Sequence, residues 1–103
     1  MKEKITQALY RKADIFKALA HPVRLFFIER LAAGPKCVCE LANEAGISKS
    51  IASRYLSQLK SVGLLDRKKS GTEVEYSLIA PCVINLIACL DSSVVDNIKK
   101  NLR

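Results

Sequence analysis

Cys37 and Cys39 stand one residue apart, and two further cysteines, Cys82 and Cys89, follow toward the C-terminus. Soft thiolates select thiophilic ions, and two of them this close can close a small chelate without long-range folding. In a regular helix positions i and i+2 do not face each other, so a shared ion predicts a non-helical or unwound first turn here. A following helix N-terminus would favour thiolate over thiol and make both cysteines reactive. Cys82 and Cys89 are about two turns and 10.5 Å of rise apart on one helix, too far to hold one ion by themselves. They read first as small core residues, with a third thiol for Cys37 and Cys39 as the other option. The lone histidine, His21, precedes Pro22 and reads as a packed or hydrogen-bonded side chain, with no metal assigned to it.

A second constellation is cationic. Ser50, Arg54, Ser57 and Ser61 recur at helical steps, with Lys49, Ser53 and Lys60 beside them and Ser48 as the cap. A helix with this small, polar face fits a DNA major groove, where serines and backbone amides hold phosphates and Arg54 or Gln58 reaches base edges. Any solvated surface helix offers a polar face too. Arg67, Lys68 and Lys69, consecutive before Gly71, protrude in this reading and tip it toward duplex DNA.

The elements that must position these residues follow from the spacing of apolar residues and breakers. Ile5, Leu9, Ala13, Phe16 and Ala20 mark one face of a first helix, and Pro22 opens a second that Gly34 and Pro35 stop. Cys39 to Ala45 predicts a short third helix closed by Gly46, and Ser48 to about Val62 the fourth. Leu65 to Lys69 and Glu73 to Leu78 predict a hairpin through Ser70, Gly71 and Thr72. Pro81 starts a last helix with Val83, Leu86, Leu90, Val94, Ile98 and Leu102 on one stripe. One hairpin cannot cover so many helices, so the terminal helices are expected to pair with a second copy.

Composition bounds the rest. The chain has 103 residues and a formal charge of +7, which predicts one DNA-binding domain over residues 1–103 with a radius near 13 Å, attractive to polyanions. No apolar run approaches the roughly 20 residues that cross a bilayer. The charged Met1 to Thr6 segment lacks a secretory h-region, which predicts a cytoplasmic protein with reduced thiols. There is no Cys-x-x-Cys and no nucleotide loop, so an enzyme is not expected.

Several motifs in one order resemble the ArsR/SmtB family of metal(loid)-responsive repressors. Phe16 to Leu25, containing Ala-His-Pro-Val-Arg, resembles the start of that family's second helix, and Cys37-Val-Cys-Glu-Leu41 its thiol motif. Ser48 to Lys60 resembles its recognition helix, and Gly63 to Leu65 with Arg67 to Tyr76 its wing. The chain departs from the family at Tyr55, where His is usual, and at Ala52, where a branched residue is. The resemblance implies a mainly α, winged helix-turn-helix homodimer that binds operator DNA and leaves it when an inducer binds. It also implies no required cofactor. Arsenite sensors of this kind usually carry a third cysteine at the place of Ala42, and the histidine-containing site of the zinc sensors is missing from the last helix, whose acids are Asp91 and Asp96. With the thiols, the expected inducer is a trivalent arsenical or antimonite on Cys37 and Cys39. The alternative is a redox or persulfide response joining Cys37 or Cys39 to Cys82 or Cys89.

Overall fold

The computed structural model describes residues 4–101. Met1 to Glu3, and Leu102 at the end of the terminal stripe, lie outside the described residues. The chain runs α1 (Gln7–Leu19), α2 (Pro22–Leu31), β1 (Lys36–Cys37), α3 (Val38–Ala45), α4 (Lys49–Ser61), β2 (Leu65–Ser70), β3 (Glu73–Leu78) and α5 (Cys82–Cys89). A π-helical stretch (Leu90–Val95) and α6 (Asp96–Asn101) complete it.

Each start has a local cause. Thr6 caps α1, accepting the Leu9 N–H at 3.4 Å. Pro22 occupies the first position of α2, where a missing N–H costs nothing. Gly46 closes α3 in the left-handed region at φ 70°, a conformation that side chains resist. At the hairpin only Gly71 of the two loop residues has positive φ, 62°, as a type II′ turn requires.

The core lies where α2, α3 and α4 meet the sheet. Phe27, Ile28, Leu41, Leu56 and Leu59 are fully buried, with Val38, Leu65 and Tyr76 nearly so. Burying side chains of this size stabilises by roughly 1.5–3 kcal/mol each. Arg30 Nε donates to Glu44 Oε1 at 2.8 Å, and Lys36 Nζ lies 3.7 Å from Glu44 Oε2. The Arg30 guanidinium holds the Glu44 carboxyl below its ordinary range. These contacts tie α3 to α2 and β1.

Three features differ from the sequence reading. The hairpin gains a third strand, giving the order β1-β3-β2. β1 is two residues long and carries no alternation that a sequence could show. The radius of gyration is 16.0 Å instead of 13 Å, because the terminal helices project from the core. Most of their stripe is uncovered: Leu9, Phe16, Leu86, Leu90, Val94 and Ile98 are all exposed and Ile5 precedes α1, while Val83 is buried in the core. The last helix is also not uniform, its middle six residues being π-wound.

Candidate nucleic-acid interface and thiol site

α4 begins because Ser48 Oγ accepts the Ile51 N–H at 3.2 Å. Its inner face, Ala52, Leu56 and Leu59, is fully buried against α3 and the core. This leaves Lys49, Ser50, Ser53, Arg54, Ser57, Gln58 and Lys60 together on the exposed side, with Ser48 at its start. Ser61, also exposed, donates to Gln58 O at 2.7 Å within the helix. Gln58 Oε1 accepts from Arg24 Nη2, which leaves its amide NH₂ and the second lone pair of Oε1 for a base edge.

Tyr55, which the sequence marked only as a departure from a pattern, is half-buried, and its hydroxyl lies 3.2 Å from His21 Nε2. His21 Nδ1 accepts the Val23 N–H at 3.1 Å and caps α2. An accepting Nδ1 assigns the neutral tautomer with hydrogen on Nε2, which then donates to the Tyr55 oxygen. Both ring nitrogens therefore have partners within the protein.

The hairpin carries the second set of cations. Arg67, Lys68 and Lys69 are exposed on β2, opposite Tyr76, Glu75 and Val74 of β3. Tyr76 is buried and anchors the strand. Asp66 Oδ1 accepts the Arg67 N–H at 2.8 Å.

The thiols lie at the corner between β1 and α3. Cys37 is the N-cap of α3, with an extended backbone at φ −80° and ψ 159°, while Cys39 sits exposed in the first turn. Glu40 Oε1 is 3.4 Å from both the Cys37 N–H and Sγ. Cys37 also pairs with Glu75 of the wing. The sequence expectation of a thiolate-favouring site is corrected for Cys37. The Glu40 backbone N–H favours the thiolate, but burial together with the Glu73 and Glu40 carboxylates outweighs it and pushes the thiol up.

Cys82 and Cys89 are also corrected: both are exposed and not core. Val83, Ile84 and Ile87 face inward on α5, and at 3.6 residues per turn the two cysteines fall on the far side. Cys89 Sγ lies 3.6 Å from Ser93 Oγ. Among the described residues no three His, Cys, Asp or Glu side chains come together as a metal site. Within one chain, neither Cys82 nor Cys89 completes a three-ligand set with Cys37 and Cys39.

Known proteins share this fold. The family model described as bacterial regulatory protein, arsR family, matches residues 21–67. The HTH-type transcriptional regulator Rv0081 of Mycobacterium tuberculosis is 34% identical over 85 residues, 81% of this chain and 75% of its own. A homodimeric winged helix-turn-helix DNA-binding domain from Mycobacterium bovis, Mb0332, superposes with a TM-score of 0.78 at 32% identity, covering 93% of this chain and 88% of that one. The AntR antimony-specific transcriptional repressor superposes with a TM-score of 0.74 at 27% identity, covering 96% of this chain and 90% of its own. No helix among the described residues is long and apolar enough to cross a membrane.

Proposed function

The chain belongs to the arsR family of bacterial regulatory proteins, and from that premise we propose that this transcriptional repressor binds its operator as a homodimer and is released when a trivalent arsenical or antimonite binds Cys37 and Cys39. Residues 1–103 act as one DNA-binding unit in the cytoplasm. Lys49, Arg54, Lys60 and the small serines of α4 enter the major groove, and Arg67, Lys68 and Lys69 of the wing meet phosphates alongside. The exposed stripes of α1 and the terminal helix pair two copies, which sets the spacing of the two recognition helices.

One observation carries the switch: Cys37 is the N-cap of α3 and at the same time the partner of wing strand β3. The extended backbone there supplies the non-helical turn that two thiols of this spacing need. With two local thiols, the fitting ligand is a monosubstituted arsenical, R–As(OH)₂. Two As–S bonds form, two As–O bonds break, and the two thiol protons leave with the hydroxides as two waters. Glu40 then loses the Cys37 S–H donor, the first turn of α3 rearranges, and both α4 and the wing shift from the operator. A third sulfur for arsenite or antimonite has to come from Cys82 or Cys89 of the second copy.

The exposure of Cys82 and Cys89 gives the redox reading its specific support. There a peroxide accepts two electrons from two thiols, Cys37 or Cys39 with Cys82 or Cys89; the O–O bond breaks, one disulfide forms, and the two oxygens leave with the thiol protons as one water and one alcohol, or as two waters from hydrogen peroxide. Native mass spectrometry of the operator complex separates the two. Arsenic bound to reduced protein as DNA is released supports the arsenical reading, whereas a disulfide or polysulfide formed without metalloid supports the other.

A further inference from the structure

Arg24 lies on α2, and its guanidinium, at the edge of the exposed side of α4, gathers three elements. Nη1 donates to the Ala18 carbonyl at 3.2 Å and to the Lys17 carbonyl at 3.5 Å, at the C-terminal end of α1. Nη2 donates to Gln58 Oε1 on α4. The guanidinium carbon lies 5.1 Å from the centre of the Tyr55 ring, also on α4. Behind it, Tyr55 meets the histidine that caps α2.

The chemistry suits arginine alone. A cation is favoured at a helix C-terminus, where unpaired carbonyls gather. Its planar fork reaches two carbonyls and an amide while stacking on a ring, which an ammonium cannot do. Among the described residues Arg24 Nε is the buried side-chain polar atom left without a hydrogen bond, and such an N–H costs stability. The gain from the fork is therefore geometric: it fixes where α4 lies against α1.

We infer that Arg24 is a positioning residue for operator binding, clamping the recognition helix to the end of the helix that carries part of the exposed apolar stripe, so that the dimer sets the angle of α4. Gln58 is held in the same clamp through its Oε1. The inference rests on the DNA-binding reading of α4.

The test compares affinities for the operator duplex and for a random duplex, each across a salt series, using the full chain. Arg24→Gln weakens operator binding about tenfold and random binding about twofold or less, the size of one coupled contact. The slope of log affinity against log salt stays unchanged, because no phosphate contact is lost. Arg24→Lys restores the charge but not the fork, and does not rescue. A slope reduced by about 0.9 per copy with rescue by lysine would make Arg24 a phosphate contact and overturn the inference. Unchanged affinity in Arg24→Gln would overturn it as well. Should that variant fail to fold by circular dichroism, Tyr55→Leu removes the ring beneath the cation and carries the same expectation, and unchanged operator preference there refutes it. A wild-type chain that binds neither duplex overturns the DNA-binding reading, and the inference with it.

Discussion

Replacing Lys68 by alanine removes the middle cation of the exposed wing run on both copies of a dimer. Lys68 lies opposite Glu75 in the hairpin register, and both are exposed. Each lost phosphate contact changes the slope of log affinity against log salt by about 0.9, hence about 1.8 for two copies. At roughly 0.15 M salt the release of one such counterion is worth about 1 kcal/mol, so the pair contributes about 2 kcal/mol, about thirtyfold in Kd. The assay is fluorescence anisotropy of a labelled duplex, selected by the wild-type protein from random sequence and titrated across a salt series. Lys68→Ala is expected to flatten the slope while the dimer and the thermal melt stay as they were, since the side chain is exposed. An unchanged slope would refute the assignment of the wing to the phosphate backbone.

Leu56→Ala deletes a fully buried side chain of α4 and is expected to cost about 2–5 kcal/mol, read as a lower Tm and a lower denaturation midpoint. Leu90→Glu puts a charge on the uncovered stripe of the terminal helix, where Leu90 is 47% exposed in a single chain. Sedimentation should then show monomers with native circular dichroism, and operator affinity should fall with dimer formation. Because the Cys37 thiol is pushed up by burial and by Glu73 and Glu40 against the Glu40 backbone N–H, the folded state holds this proton more tightly than the unfolded one. The stability it contributes is present below the ordinary thiol value of 9.0 and is lost as pH rises beyond it. Wild type should therefore lose stability relative to Cys37→Ser in that alkaline window. In the same site, Glu40→Gln should speed alkylation of Cys37, followed by mass spectrometry of the labelled peptide.

The helix-turn-helix was legible because its signals are local: Ser48, the glycine at 46 and the spacing of Ala52, Leu56 and Leu59 each act within one or two turns. The hairpin was equally plain in the alternation of Val74, Tyr76 and Leu78 about Gly71. What stayed hidden is made by distance in sequence. β1 exists only because Lys36 and Cys37 meet Tyr76 and Glu75, and two residues hold no period. Part of the rise of the Cys37 thiol has the same origin: besides burial and the nearby Glu40, it comes from Glu73, on a strand far along the chain. The linkage of His21 and Arg24 to Tyr55 and Gln58 spans 34 residues and is a product of packing. Cys82 and Cys89 were misread because an apolar-looking helix does not say which side meets the core and which side is left for another molecule.

The central claim is that occupation of the two thiols at the β1–α3 corner loosens the grip of α4 and the wing on DNA. Its most direct test is an operator-release titration of wild type and the Cys37→Ser, Cys39→Ser double variant, with arsenite, a monomethylated trivalent arsenical, antimonite, zinc and persulfide in parallel. The account predicts release of the wild type by a trivalent arsenical or antimonite, and a variant that holds the operator at full affinity throughout. A double variant released as readily as the wild type would contradict it.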